Sequence, residues 1–251
     1  MTAGHGTKFV VGLAVVALLG VGLAACAPLP PPGPCGVFYS NSKFDGWGVS
    51  PYLSYVRTNE YEGAAANITV RNALLCTTDT SEANNSSAWS MITDFRGWAQ
   101  TGFLRAGPIG EAHFAQQSLD GTSWSTVFGS QVADGEVHHD WQQYDGGCGC
   151  IHSNVDVTRF MDSTFNPKLS WVYPYGAEFF GETKYLETNM PGWNTSQTTF
   201  SGLQVQNFSN DNGWYTPPEW SYWSSNDNTN RWNQGDPRES VGGNSFGIWN
   251  K

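Results

Sequence analysis

The segment GAEFFGETKYLE, residues 176–187, combines aromatic residues typical of a β-strand with two glutamates four residues apart. Side chains alternate along a strand, so Glu178, Phe180 and Glu182 share one face. At 3.3 Å per residue the two glutamates are about 13 Å apart, whereas the carboxyl groups of a glycosidase pair lie about 5 to 9.5 Å apart. A catalytic partner for either glutamate must therefore come from a neighbouring strand.

Short runs of alternating apolar and polar residues recur after Cys35, bounded by Gly, Asn, Asp and Pro. They include NITVRNALLC, SAWSMIT, GWAQTGFLR, STVFGSQV, EVHHDWQQY, IHSNVDVTRF, KLSWVYPY and TTFSGLQVQNF. Apolar residues at helical spacing do not appear in this part of the chain. We therefore predict an all-β fold, a two-sheet antiparallel β-sandwich of the jelly-roll type, formed by residues 36–251 as a single domain.

Residues 1–25 have the pattern of a bacterial lipoprotein export signal. Lys8 precedes the apolar run 9–25, which leads into LAAC at Cys26. We predict that Cys26 carries the lipid and that residues 26–35, which include APLPPPGP, form a stiff tether. The expected location is the extracellular face of a bacterial membrane, contacted only through the lipid anchor. An ordinary secreted protein is the alternative.

Five cysteines are an odd number for an exported chain, and lipidation of Cys26 leaves four. We expect these four to form two disulfides. Cys148 and Cys150 are separated by one residue, which makes a bridge between them difficult, so we expect each to pair with Cys35 or Cys76.

A metal site that combines cysteines with His138, His139 or His152 is the alternative to these disulfides. An oxidising compartment favours disulfides, and the spacing matches no standard zinc pattern. His138 and His139 are adjacent in a predicted strand, so they point to opposite faces and do not bind one ion together. We expect no metal ion and no cofactor.

The formal net charge of −10, with only 12 Lys and Arg residues, argues against nucleic acid as a partner, because phosphate binding needs a basic surface. Charged residues make up 14% of the chain, against about 25% in typical proteins. This composition, with few charged residues and many uncharged polar and aromatic ones, indicates an extracellular protein. We expect a monomer with a polypeptide or polysaccharide as substrate.

The segment that begins near residue 210 differs from the rest, because its tryptophans lie among Asn, Ser, Gly and Pro with little alternation. These tryptophans are Trp214, Trp220, Trp223, Trp232 and Trp249. We expect mostly irregular structure that wraps over the domain. The rings either hold this segment against the core, which is the favoured interpretation, or form a sugar-stacking surface.

The segment GWAQTGFLR supplies the best candidate partner for a glutamate, because Trp98, Gln100 and Gly102 share a face. A glutamine cannot exchange protons, but it can hold a water and donate an N–H to a developing oxyanion. A glutamate whose pKa is raised by aromatic surroundings can then act as general base and acid. Solvent-facing strand residues are the simpler interpretation of the same pattern.

These segments resemble the glutamic peptidases called eqolisins. AWSMI at residues 88–92 and QTG at residues 100–102 are similar to that family's WVGIDG and QTG, and AEFFGE at residues 177–182 is similar to its AEWIVE. The resemblance extends over roughly residues 86–205. It implies a two-sheet sandwich, acting at acid pH, with Gln100 and Glu178 as the catalytic dyad and with Trp89, Trp98 and Phe180 against the substrate. The chain lacks the family's Gly-Ile-Asp-Gly sequence and has Met-Ile-Thr-Asp at the corresponding residues 91–94.

A second resemblance leaves alternatives open. FFGET followed by MPG, residues 179–192, is also similar to a stretch of the neprosin-type glutamic peptidases, and this would make Glu182 the catalytic residue. Lectin-like and glucanase-like sandwiches of the concanavalin A type share the predicted architecture. A carbohydrate-binding module and a structural envelope lipoprotein therefore stand beside the hydrolase.

Overall fold

The computed structural model describes residues 33–36, 38–49, 61–94, 96–171, 176–185, 187–193, 195–207, 213–217, 219–224, 232–234 and 243–250. The predicted export signal, Cys26 and most of the Pro-rich tether lie outside these residues. Within the described ranges, no helix combines the length and the apolar composition that a membrane crossing requires.

The described residues form strands and one short helix. The elements are β1 (Phe38–Val49), β2 (Tyr61–Thr69), β3 (Asn85–Thr93), β4 (Trp98–Ala106), β5 (Gly110–Ser118), β6 (Ser125–Gln131), β7 (Val137–Asp145), β8 (Cys150–Val155), β9 (Thr158–Asp162), α1 (Pro167–Ser170), β10 (Gly176–Tyr185), β11 (Gly192–Trp193), β12 (Ser196–Asn207), β13 (Ser221–Ser224), β14 (Trp232–Gln234) and β15 (Ser245–Asn250). The prediction of an all-β chain is confirmed.

Two sheets contain these strands. The seven-stranded sheet has the order β13-β1-β10-β3-β4-β5-β6, and the eight-stranded sheet has the order β14-β15-β11-β12-β2-β7-β8-β9, with β15 also paired to β12. The described pairs are antiparallel, apart from the parallel pair formed by β11 and β15. The predicted two-sheet antiparallel sandwich is therefore confirmed.

The main apolar core lies between the two sheets. Phe103 and Phe179 from the seven-stranded sheet and Phe200 and Leu203 from the eight-stranded sheet belong to it, and all four are buried. Phe200 stacks on Phe246 with 4.7 Å between the ring centroids. Apolar side chains of both sheets thus leave water together, which is the main stabilising contribution in a sandwich.

A second apolar cluster covers the opposite face of the seven-stranded sheet, here called the outer face. Its buried members are Trp89, Met91, Leu104, Ala106, Phe114 and Phe180. Strand β3 is consequently buried along both faces over most of its length. This explains why its sequence, SAWSMIT, has no clearly polar side.

The disulfides pair differently from the expectation. Cys35 bonds to Cys76, and Cys148 bonds to Cys150, so the prediction that each of the latter two pairs with Cys35 or Cys76 is wrong. That prediction assumed an extended backbone from Cys148 to Cys150. Gly149 has φ of +67° in the turn between β7 and β8, and this left-handed conformation leaves the Cα atoms of Cys148 and Cys150 5.3 Å apart, within the usual range for a disulfide.

The C-terminal segment, expected to be mostly irregular, contributes β13 to one sheet and β14 and β15 to the other. Trp220 is buried, lies 5.8 Å from Phe179 between ring centroids, and donates from Nε1 to the backbone oxygen of Gly243. This indole therefore holds the segment against the core, as the favoured interpretation of the tryptophans predicted. The side chains of Trp223 and Trp232 lie outside the described residues.

Candidate active site

Glu178 and Gln100 lie in one cross-strand row of the seven-stranded sheet. Glu178 of β10 pairs with Met91 of β3, and Met91 pairs with Gln100 of β4. Directly paired residues share a face, so the three side chains project from the outer face. The expectation that the strand of Gln100 is adjacent to the strand of the glutamates is wrong, because β3 lies between them. Two strand spacings put the Cα atoms of Glu178 and Gln100 about 10 Å apart.

The row continues beyond Gln100 through Gln116 of β5 to Thr126 of β6. Gln116 Nε2 donates to Thr126 Oγ1 at 2.9 Å, and Gln116 Oε1 accepts from Trp98 Nε1 at 3.3 Å. Because an indole N–H is only a donor, this oxygen must face Trp98. Gln100 Nε2 donates to the same oxygen at 3.2 Å, which orients the Gln100 amide and leaves one of its two N–H groups for another acceptor.

The Glu178 carboxyl is enclosed by protein. The residue is 7% exposed, and burial raises its pKa to about 8, since removal from water disfavours the charged form. No described residue donates a hydrogen bond to this carboxyl. Gly48 of β1 pairs with Glu178, and a Cβ at position 48 would lie 3.2 Å from Glu178 Cγ, so a glycine there leaves room for the glutamate side chain.

Glu182 lies further along β10 and has a different environment. It pairs with Ser87 of β3, two rows away from Gln100, and is only half-buried. Its Oε2 accepts a 2.8 Å hydrogen bond from Trp89 Nε1. Four residues along the strand and two strands across separate Glu182 from Gln100 by roughly 16 Å between Cα atoms. Of the two candidate glutamates, only Glu178 is brought together with Gln100.

The aromatic residues expected to contact substrate are mostly enclosed. Trp89 is 4% exposed and Phe180 is fully buried. Their rings are in edge-on contact, with 5.2 Å between the ring centroids. They form the row next to Glu178 and Gln100, so they border the candidate site as packed wall residues. Trp98, on the other side of that row, is half-buried.

Met91, Gln116 and Thr126 belong to this site and were not identified from the sequence. Met91 is 9% exposed and lies between Gln100 and Glu178. The one sequence signal that could have identified Met91 is the eqolisin motif, which has a glycine at this position. The roles of Gln116 and Thr126 depend on strand register, which the sequence does not show.

The two adjacent histidines point to opposite faces, as predicted. His138 faces the other sheet and contacts His113 edge-on, with 4.3 Å between ring centroids, whereas His139 contacts Asn67 Oδ1 of its own sheet. His138 Nδ1 is 2.8 Å from Asp156 Oδ2. These two histidines therefore do not converge on one ion.

Comparison of the whole chain with known proteins identifies the fold. A structure of scytalido-glutamic peptidase with a transition state analog inhibitor matches with a TM-score of 0.59 and 12% sequence identity, covering 84% of this chain and 99% of that chain. SCP-B, a member of the eqolisin family of peptidases in complex with a tripeptide, matches with a TM-score of 0.56 and 11% identity over the same shares. No family model and no curated protein sequence matches the chain.

The chain has the β-sandwich fold of the glutamic peptidases. This agrees with the resemblance of the strand motifs, and the identity of 11–12% extends the likeness to the fold alone. The chemistry must be argued from the row that contains Glu178, Met91 and Gln100.

Proposed function

We propose that the protein is a peptide hydrolase of the glutamic-peptidase type, in which Glu178 is the general base and acid and Gln100 is the oxyanion donor. The observation that carries the proposal is that both side chains project from one cross-strand row of the outer face, with a single strand between them. The shared fold with two glutamic peptidases supports it.

The separation of the two strands suits a reaction that includes a water molecule. The Cα atoms are about 10 Å apart, and both side chains project from the same face of the sheet, roughly perpendicular to it, so the carboxyl and amide groups have a comparable separation. Pairs of catalytic groups separated by about 6.5 to 9.5 Å hold a water together with the substrate in other hydrolases. A water and a peptide carbonyl therefore fit between the Glu178 carboxylate and the Gln100 amide once Met91 is displaced.

The proposed reaction has two steps. The Glu178 carboxylate takes a proton from the water as the water oxygen attacks the peptide carbonyl carbon. The carbonyl oxygen becomes negatively charged and accepts a hydrogen bond from the remaining Gln100 N–H. Glu178 then gives that proton to the amine nitrogen as the C–N bond breaks. The products are an acid and an amine, and Glu178 is again ionised.

This mechanism determines the pH dependence. The base must be ionised, and burial raises the pKa of Glu178 to about 8. The ionised fraction therefore increases from acid pH up to that value, and kcat/KM follows it. We propose activity that rises toward neutral and mildly alkaline pH, in place of the acid pH that the resemblance implied.

Met91 controls access in this proposal, since its side chain lies between the two reactive groups. A methionine is unbranched and has three rotatable bonds, so it can move aside at a modest energetic cost. The substrate must supply that energy on binding.

The decisive experiment measures cleavage of denatured proteins and short peptides by the purified protein from pH 3 to pH 9. We expect Gln100→Ala and Glu178→Gln each to lower kcat by at least about 100-fold, as loss of an oxyanion donor or base does. Glu182→Gln is the matched control and should retain activity. If the wild type cleaves nothing over this range, or if both variants equal the wild type, the hydrolase proposal is wrong.

A carbohydrate-binding module remains the competing function. It predicts retention on polysaccharide that is unchanged in Gln100→Ala and Glu178→Gln. The burial of Trp89 and Phe180 counts against sugar stacking on these two rings.

A further inference from the structure

The tip of the β7–β8 hairpin brings two cysteines and a histidine together at a distance from the candidate active site. Asp145 pairs with Cys150 across the hairpin, and Cys148 bonds to Cys150 within the turn. His152 follows Cys150 by two residues, so both project from the same face of β8. One ligand atom from each of Cys148, Cys150 and His152 lies within 4.8 Å of the others.

The His152 imidazole is held in one orientation by two carboxylates. Its Nε2 lies 2.9 Å from Asp145 Oδ2 and its Nδ1 lies 2.7 Å from Asp162 Oδ1. The side chain is only 8% exposed, whereas both carboxylates are about half exposed. A histidine whose second nitrogen donates to a carboxylate is the usual arrangement of a metal-binding histidine.

The spacing of the atoms suits a tetrahedral ion. Cys150 Sγ is 3.7 Å from His152 Nδ1. With bonds of about 2.3 Å to sulfur and 2.0 Å to nitrogen, two ligands of a tetrahedral zinc ion lie about 3.5 Å apart. Asp162 Oδ1 lies 2.7 Å from the same nitrogen and 3.7 Å from Arg159 Nε, and it becomes the fourth ligand when the ion replaces its hydrogen bond to Nδ1. Two features oppose this arrangement in the oxidised protein: the bond between the two sulfur atoms, and the contact of Nδ1 with Asp162, which the ion must replace.

We propose that reduction of the Cys148–Cys150 disulfide creates a binding site for a thiophilic divalent cation such as Zn²⁺, formed by Cys148, Cys150, His152 and Asp162. Oxidation removes the site, because a disulfide sulfur is not a thiolate ligand. The hairpin tip is then a metal site controlled by the thiol–disulfide state.

The redox step needs an external dithiol. One thiolate of that dithiol attacks the exposed Cys148 sulfur, Cys150 leaves as a thiolate, and the second thiol releases the reagent as its own disulfide. Two electrons and two protons pass to the protein. Binding of the cation then releases the protons of the two thiols and any proton that His152 Nδ1 shares with Asp162, while Nε2 keeps its proton toward Asp145.

The other disulfide provides an internal control. Cys35 and Cys76 lie beside Asp79, Asn84 and Thr188, and the described residues around them include no histidine that shares a metal-binding group with them. Reduction of both disulfides should therefore create one site and not two.

The experiment uses the whole protein, reduced with a phosphine and then alkylated with iodoacetamide in the presence and absence of Zn²⁺. Peptide mass spectrometry reads each cysteine separately. We expect Zn²⁺ to slow alkylation of Cys148 and Cys150 at least about tenfold, to leave Cys35 and Cys76 unprotected, and to bind at one equivalent in equilibrium dialysis. His152→Gln should weaken Zn²⁺ binding at least about tenfold, because loss of a ligand costs no less than loss of a residue that supports one.

Three outcomes would overturn the proposal. The reduced wild-type protein binds no Zn²⁺ at micromolar concentrations, the protection is the same at all four cysteines, or His152→Gln binds as tightly as the wild type. Circular dichroism of the reduced protein, with and without Zn²⁺, verifies that the sandwich remains folded. Cys148→Ser, which leaves the other disulfide intact, gives a second variant that should lose binding.

Discussion

The indole N–H of Trp89 donates a 2.8 Å hydrogen bond to Oε2 of Glu182. This contact joins β3 to β10 beside the candidate site, and it gives Glu182 a structural role. The glutamate that is free of any such donor among the described residues is Glu178, which is also the one in the row of Gln100.

We predict that Glu182→Ala lowers the free energy of unfolding by about 1 to 2 kcal/mol, because the hydrogen bond from Trp89 is lost at a half-buried position. Its kcat should stay within about twofold of wild type, since catalysis is assigned to Glu178. A double-mutant cycle with Trp89→Phe in urea denaturation should show that the two losses are not additive. A fall in kcat comparable to that of Glu178→Gln would contradict this assignment.

Met91→Ala opens the space between Gln100 and Glu178. We predict a higher kcat/KM for peptide cleavage, because the substrate no longer has to displace this side chain. The same change should lower the free energy of unfolding by about 2 kcal/mol or more, as truncation of a buried methionine does. Peptide kinetics and urea denaturation measure the two effects.

Met91→Leu is the matched control for that experiment. It conserves volume, so it should cost less than about 1.5 kcal/mol in stability and keep the space filled. If both variants show the wild-type kcat/KM, Met91 does not limit access.

The raised pKa of Glu178 also predicts how stability depends on pH. The folded value is about 8, against an ordinary value of 4.5. Between these pH values the folded protein keeps a proton that the unfolded chain has released, so the free energy of unfolding decreases as pH rises from 4.5 to 8. The decrease is on the order of a few kcal/mol, because each unit of pKa difference corresponds to about 1.4 kcal/mol.

Glu178→Gln removes this titration and should therefore show a weaker loss of stability over the same pH range. We expect the free energy of unfolding of Glu178→Gln to be similar to that of the wild type near pH 4 and higher than it near pH 8. Glu182→Gln should show the same dependence of this free energy on pH as the wild type. Urea denaturation at intervals of pH measures the curves. Parallel curves for wild type and Glu178→Gln would show that the carboxyl is not buried as described.

Cys26 carries a prediction that rests on the sequence alone. We propose that the protein is exported and lipidated at Cys26, and we expect detergent phase partitioning and the intact mass of the mature protein to show the lipid. Cys26→Ala should release the protein from the membrane fraction. Equal membrane association of this variant would favour the ordinary secreted protein.

The all-β fold was predictable because each strand shows its alternation of apolar and polar residues within its own short sequence. Alternating runs such as TTFSGLQVQNF already indicate a half-buried strand, and β12 shows the corresponding burial pattern. The disulfides were predicted to exist, but their pairing was not, because it depends on the left-handed turn at Gly149. The strands of the C-terminal segment were missed, since short strands such as Trp232–Gln234 have too few residues to show alternation.

The type of fold and the candidate groups Gln100, Glu178 and Glu182 could be read from the amino-acid sequence. Residue type and period-two alternation are local properties of the chain, so they are visible without the fold. Three facts required the folded chain: that Glu178 shares a cross-strand row with Gln100, that Met91 lies between them, and that Gln116 orients the Gln100 amide. These facts depend on strand order and register, since a strand from residues 176–185 packs beside one from residues 85–93 only after the chain has folded.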